Sequence, residues 1–476
     1  MITTVFDVLV VGAGTAGIPT AVFAGRRGLN VLLVEGQSRV GGTLHVSSGH
    51  MSAAGTKLQA ERGIVDDAQA HYDDVMRISR STANPTLLRV ATESAAETIN
   101  WLMAEGFDMA PECPVIAYSH EPYRLARTYW GRDNGLSILA VLERLLDEAR
   151  SASQVDLHLD TRLEDLGRGA DGNWMATLCT GSKRLQVHAR QVVLATGGYG
   201  ANPEVFSRMT DGLPLLSPAP AGADGSGLLI GLKLGGQVHN DGVYLPTVAG
   251  VPDNPNGHYL DWGRRSNLTP QHRAPWEVYL DLTGNRFIAE DDPSPDARER
   301  AVRAQADLAF WVVFDQAILE RAPPLFTNTP IAEVIGRFGT HPAYRRAESM
   351  PELAAACGMD ADCLIRSITH YNAAVAQQFD PLGRKHLQSP IQRGPFYAIR
   401  HQGVTLRCWA GLEIDASLRV VGTDGQPLPG LFAVGEIVGG AAMSGESFAS
   451  GMSITPALSF GRLLGQHMLS APPRPD

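Results

Sequence analysis

Cysteine is scarce in this chain: five residues in 476, namely Cys113, Cys179, Cys357, Cys363 and Cys408. They are scattered and odd in number, and no C-x-x-C or C-x-x-C-H occurs. A cysteine zinc knuckle and c-type haem are thereby excluded, no metal site is expected, and free thiols in a reducing cytoplasm are predicted. Basic residues are outnumbered, 40 Lys and Arg against 50 Asp and Glu, for a formal net charge of −10. Such a balance argues against nucleic acid or an anionic membrane surface as the main partner. It leaves room for an anionic substrate, since a local arginine cluster reverses the sign inside a cleft. No apolar run reaches the ~18–20 residues of a membrane span. Nothing ahead of about Phe6 reads as an export signal, and Arg26-Arg27 falls inside a helix pattern. Internal repeats and low-complexity tracts are also lacking.

Glycine is abundant, with 50 residues, and its placement carries the first positive reading. An apolar run, Val8 to Val11, leads into Gly12-x-Gly14-x-x-Gly17, then a small-residue helix from Ile18 to Arg27, then Val31-Leu-Leu-Val-Glu35. This is a whole βαβ unit, with an acidic residue 18 positions after the last glycine. Gly12 permits the tight turn, Gly14 admits a pyrophosphate to the backbone, and Gly17 lets helix and strand pack closely. Thr15 and Ala16 open the helix, whose first N–H groups suit phosphate. Glu35 suits the hydroxyls of an adenosine ribose and repels a 2′-phosphate. The chain then continues with Gly36, Gly41-Gly42-Thr43-Leu44 and a run of small residues through Ser48, Gly49 and Gly55. A second glycine pair there suits a backbone lying flat against a large planar ring. Three further segments fit the same purpose. Gln191 to Gly198 is a buried strand ending in Ala195-Thr196-Gly197. Ala223-Asp224-Gly225 opens a helix. Gly430 to Glu436 is a strand ending in Gly435-Glu436.

Taken in order, these motifs resemble the fumarate reductase/succinate dehydrogenase flavoprotein superfamily, which includes 3-ketosteroid dehydrogenases and tricarballylate dehydrogenase. The resemblance runs over nearly the whole chain. It implies FAD, with the adenine end on Gly12–Glu35 and the isoalloxazine near Thr43–Gly55. It places Glu436 at the ribityl or pyrophosphate region and aims the N–H groups of Ser453 and Ile454 at the flavin ring. Thr43 stands where some members carry a covalently linked histidine, so FAD is expected to be non-covalent. The fold implied is α/β: a Rossmann-like FAD-binding domain, parallel sheet plus antiparallel meander, with an inserted α+β cap domain. Composition shifts at about residue 245, where Pro246–Pro275 is rich in Pro, Asn, Gly and His. We therefore expect FAD-binding segments at 1–244 and 401–476 and a cap at 245–400. The substrate site should lie between them.

The resemblance also implies hydride exchange between a substrate carbon and the flavin, with proton exchange at the neighbouring carbon. Three positions decide which substrate. The C-terminal loop Gly439–Gly461 has no arginine to clamp a carboxylate, and Gly451–Gly461 matches the ketosteroid pattern Gly-x-x-Ile-x-Pro-Ala-x-x-Phe-Gly. Gly451 matches the glycine that holds the substrate ketone there, while the partner tyrosine falls on Ser447 or Phe448. Gly284-Asn-Arg-Phe-Ile-Ala-Glu290 matches the cap motif Gly-x-Arg-Phe-x-x-Glu. The proton-transfer residue expected four positions later is Ser294, with Arg298 four residues beyond. Arg407 stands near a position where fumarate reductases carry histidine. His50, Tyr259, Tyr118, Tyr123, Tyr129 and His258 are alternative bases, and His120, His401 and Arg132 are possible cleft residues. The expected activity is desaturation of a small cyclic ketone or oxo-acid next to its carbonyl. The alternatives are a fumarate- or tricarballylate-type enzyme of a linear acid, or a flavin-stabilised binding protein. The electron acceptor stays open among oxygen, a quinone and a soluble carrier.

Overall fold

A computed structural model describes residues 5–470. The outermost ends of the expected FAD-binding segments, 1–4 and 471–476, lie outside the described residues. The strand Val5–Val11 forms the centre of the main sheet, between Val31–Val34 and Lys183–Leu194, all three parallel. Val155–His158 extends the sheet beside Val31–Val34, and Pro427–Ala433 extends it beside Lys183–Leu194. Five parallel strands thus bring their C-terminal ends to one edge, where α/β sheets bind ligands. Lys183–Leu194 serves two purposes. Its first half pairs antiparallel with Trp174–Thr180, which pairs with Thr161–Arg168, and its second half enters the parallel sheet. This is the expected meander. The alternating pattern of Thr161–Arg168 has one face in the core and one in solvent, whereas the central strand Val5–Val11 is buried over its last five residues.

A second, all-antiparallel sheet is built from Thr247–Gly250, Val278–Leu280, Ala309–Asp315, Tyr344–Ala347 and Phe396–Val404. Its core is separate. Residues such as Val278, Phe310, Val312, Tyr371 and Ile399 pack among themselves, while a first core joins residues 8–245 to 408–469. The last strand of the second sheet runs through residue 400 to Val404, because Gln402 and Val404 still pair with Gly250 and Thr247. The stretch 246–275 is irregular as expected, save for Thr247–Gly250 and one short turn of 3-10 helix, Trp262–Arg264. The final helix spans Ile454–Leu463 and passes into a wider turn, Leu464–Met468.

The cap motif has a structural purpose. Arg286 makes paired bonds to Glu290, and also reaches Asp380. Arg384, fully buried, donates to Glu290 as well, at 3.0 Å. Glu290 further accepts the Tyr279 N–H. Two arginines around one buried carboxylate satisfy the charges that burial would otherwise make costly.

Candidate functional site

A cavity of about 500 Å³ runs along the C-terminal edge of the main sheet and out to Trp262 and Arg407. Its inner half is glycine-lined. Gly12 has φ +101°, and a Cβ there would meet Ala195 O at 2.4 Å. Gly17 presses on the same turn, since a Cβ on it would lie 1.8 Å from Gly12 O. Gly14 differs: nothing lies within 4 Å of its Cβ position, so the space over it is a cradle into which a ligand backbone or phosphate fits. The helix Gly17–Arg26 has no side-chain N-cap, which leaves its first N–H groups for an anion. Glu35 accepts from Ala13 N at 2.8 Å and from Gln37 N at 2.9 Å, and each oxygen keeps a further lone pair at the cavity wall. Thr196 Oγ1 is buried there without a partner. Glu436 is half-buried and accepts from Cys408 N at 2.8 Å, and desolvation raises its carboxyl above the usual range. The helix Ile454–Leu463 also opens on the cavity with no side-chain cap, at Ser453. These features fit a dinucleotide that carries a large ring.

Most of the expected cofactor residues share this wall: Gly12, Gly14, Thr15, Ala16, Glu35, Gly36, Gly42, Thr43, Ser48, Ala195, Thr196, Gly197, Gly435, Glu436, Ser453 and Ile454. Five do not reach it. Gly17, Gly41, Leu44 and Gly49 pack behind the wall; a Cβ on Gly41 would strike Leu139 and one on Gly49 would strike Asn134. Asp224 is drawn off by Arg162 and accepts from Ser226 N at the start of Ser226–Lys233. Sequence reasoning missed Gln37, Arg39, Arg162 and Ser217–Pro220, which also line the cavity. Gln37 and Arg39 follow directly on the strand Val31–Val34, whereas Arg162, on the first strand of the meander, and the loop Ser217–Pro220 are brought there only by the tertiary fold.

The outer half is chemically different. Arg407, His50, His120, Trp262, Phe448 and Gly451 line it. Arg407 is buried, with its guanidinium 4.1 Å from the Trp409 ring centre and 4.5 Å from that of Phe448. Its Nη2 donates to Ser444 Oγ at 2.7 Å and to Ser447 O at 3.2 Å, while Nε is buried without a partner. It packs on Gly440, where any Cβ would meet Arg407 Cδ at 2.7 Å. Among the described residues no carboxylate lies within 4 Å of it, and burial pulls its pKa down to about 10. His50 lies beside Trp130, and burial followed by His120 lowers it to about 4. Burial, then Arg407, lowers His120 to about 3.

The remaining expected catalytic groups go elsewhere. Ser447 is buried behind Arg407, and its Oγ accepts from Arg300 Nη2. Ser294 caps the helix Pro295–Arg303 through Ala297 N and donates to Glu121, so it is not on the cavity wall. Tyr259 is 49% exposed and outside the cavity, because its backbone, not its ring, is tied to Ser217. Arg298 donates to Leu268 O, away from the cavity. His401 is held inside the second core by Ser266 and Ile399, and Tyr123 is buried with its hydroxyl on Ser450 O at 2.6 Å.

Residues 7–451 match the family model for the FAD binding domain. The chain belongs to that family, and to its succinate dehydrogenase/fumarate reductase flavoprotein superfamily, FAD-dependent oxidoreductases acting on CH–CH groups. It is 29% identical over 467 residues to an NADH:fumarate oxidoreductase of Klebsiella pneumoniae (strain 342), covering 97% of this chain. The chain spans 47% of that relative's length. Among solved structures it is similar to the open conformation of a flavocytochrome c3 fumarate reductase. There the TM-score is 0.73 at 25% identity, covering 97% of this chain and 78% of the other. It shares the fold of 3-ketosteroid delta1-dehydrogenase from Sterolibacterium denitrificans, with TM-score 0.75 at 20% identity, covering 98% of this chain and 100% of the other. FAD is the cofactor and is held non-covalently. Thr43 offers no ring nitrogen for a covalent link, and His45 Nε2 lies 2.9 Å from Val40 O.

Proposed function

We propose that this chain reduces the carbon–carbon double bond of a small α,β-unsaturated carboxylic acid. The observation that carries the reading is Arg407: a buried cation on the cavity wall, with no carboxylate within 4 Å, only Glu299 and Glu436 acting on it at longer range, and one N–H unpartnered. A buried charge in that state is compensated by an anion that enters with the substrate. The planar guanidinium suits a carboxylate, and its attraction is strengthened where water is excluded. Relatives named for fumarate support the same chemistry.

Desaturation of a cyclic ketone was the expectation from a C-terminal loop without arginine. Arg407 bonds to Ser444 and Ser447 of that very loop, so an arginine three residues past the strand Phe396–Val404 supplies in space what the loop lacks in sequence. This favours the linear-acid alternative. Bound FAD supplies hydride-transfer chemistry. The chain supplies the rest: Arg407 orients the carboxylate and stabilises the enolate-like charge that develops beside it, while Trp262 and Phe448 wall the reacting carbons. The Gly451 backbone, whose Cβ position is filled by Met51, forms the floor. No helix among the described residues is long and apolar enough to cross a membrane.

The test is anaerobic. Holoenzyme reduced with dithionite is mixed with fumarate and other small unsaturated acids, and return of the oxidised flavin band is followed. Return with an unsaturated acid, and its loss in Arg407→Met, is expected. Return with a cyclic enone but with no acid overturns the reading.

A further inference from the structure

The cap position expected to deliver a proton carries Ser294, which only caps a helix and binds Glu121. Another titratable group stands at the cavity. The ring of His120 lines the outer half and stacks on Phe448, with centres 4.4 Å apart at 13°. Its backbone is pinned to the same loop, since Glu121 bridges to Ala449 in parallel. Behind the ring stands Glu299, on the helix Pro295–Arg303. Its Oε1 is 3.5 Å from His120 Nδ1, with side chains 4% and 16% exposed, respectively. Nδ1 is buried and has no bonding partner at that separation. The Ser294–Glu121 bond, 2.9 Å, ties the start of the same helix to the same segment. Two elements therefore hold an acid behind an imidazole that faces the cavity.

The groups around this pair are Arg407 and His50 on the cavity side, and Asp296, Arg298 and Arg300 on the helix of Glu299. Burial outweighs them: it raises the Glu299 carboxyl well above the usual range and holds His120 neutral. A neutral carboxylic acid aimed at Nδ1 leaves the ring proton on Nε2, the nitrogen available to the cavity. The 3.5 Å gap is of the kind that closes when substrate binds.

We propose that His120 gives the proton to the substrate's α-carbon and that Glu299 is the proton reserve behind it. This rests on the unsaturated-acid reading above. The reductant would be bound reduced FAD, whose hydride chemistry at the β-carbon would leave an electron pair at the α-carbon. That pair takes the proton as the His120 Nε2–H bond breaks. Nδ1 takes the Glu299 carboxyl proton at the same time. The products are the saturated acid, a Glu299 carboxylate and neutral His120 in its other tautomer. Proton uptake from solvent at Nε2 and return of the Nδ1 proton to Glu299 restore the starting state. His120 is thus a catalytic residue, and Glu299 acts through it.

The test uses FAD-loaded wild type, His120→Gln and Glu299→Gln, with fumarate as oxidant and succinate as the non-reacting ligand. The Gln at 299 still donates a hydrogen bond to Nδ1 but has no proton to give, so it separates proton supply from support. Expected is a fall of ~100-fold or more in turnover for each variant, with succinate affinity within about threefold of wild type. In wild type, turnover falls on the alkaline side as Glu299 ionises. Glu299→Asp, which keeps an ionisable carboxyl, retains that limb, and Glu299→Gln loses it. Histidine-ring nitrogen NMR gives a second readout: one neutral, Nε2-protonated ring is present in wild type and absent in His120→Gln. Turnover within about threefold of wild type in His120→Gln, or loss of succinate binding in step with turnover, overturns the proposal. A wild type inert to every unsaturated acid instead overturns the carboxylate reading on which it rests.

Discussion

Gly14 and Gly17 are three residues apart and answer the same methyl group in opposite ways. A Cβ on Gly17 would sit 1.8 Å from Gly12 O, so Gly17→Ala is expected to disrupt the turn itself. A Cβ on Gly14 meets nothing. Gly14→Ala should therefore leave the unfolding midpoint of the FAD-free protein unchanged while weakening FAD binding by ~10-fold, about 1.4 kcal/mol. Flavin-fluorescence titration beside thermal unfolding separates the two effects. His71 gives a second residue-scale prediction. It is fully buried against Ser52 and Tyr123, and burial lowers it to about 3 from an ordinary 6.5. Between those values the unfolded chain binds the proton and the folded chain does not, so His71 makes stability rise with pH there. Its favourable contribution is complete above the unfolded value and lost as pH falls toward 3. Compared with His71→Gln, wild type should gain about 1.4 kcal/mol per pH unit across that window and show no further difference above it. Denaturant unfolding of both proteins at several pH values measures this.

At the scale of elements, legibility followed local periodicity and local motif. The βαβ unit and the meander were readable because their side chains repeat with the period of one strand or helix. Most glycines of the cofactor wall were readable for a related reason: the turn chemistry is contiguous in the chain. The outer half was not. His120 lies in an irregular stretch with neither period, and is brought to the cavity by a single bridge from Glu121 to Ala449. Arg407 was visible as a residue, but its place beside Ser444 and Ser447 is a tertiary fact. Ser294 was assigned by register in the cap and Tyr259 stood among the alternative bases; the Ser294 hydroxyl caps a helix and the Tyr259 side chain faces solvent. The cap motif, by contrast, holds the second core together. Removing the Glu290 charge leaves Arg286 and Arg384 short of a buried partner. Glu290→Gln should cost about 3–5 kcal/mol of cap stability. Hydrogen exchange should report faster opening of Phe396–Val404, with the strands around the FAD site little changed. Equal loss of protection in both sheets would show that the two cores unfold as one.

For the whole molecule, the cavity is walled almost wholly by the unit of the first core, with Trp262 the one lining residue from the stretch 245–400. The parallel sheet presents glycine turns and uncapped helix ends to the cofactor, and the second sheet brings the helix Pro295–Arg303 against the loop that holds Arg407. Arg300 makes this contact directly, through Ser447 Oγ at 3.0 Å and Glu446 O at 3.1 Å. On the function proposed above, substrate chemistry is set beside Arg407, whose loop the helix Pro295–Arg303 buttresses. The decisive measurement is the affinity of the FAD-loaded enzyme for succinate, read from the flavin absorbance, in wild type and Arg407→Met. The account predicts saturable binding in wild type and a loss of ~100-fold in the variant, the scale for removing one partner of a buried charge pair. Equal affinity in both proteins would contradict the assignment of Arg407 as the carboxylate-binding residue.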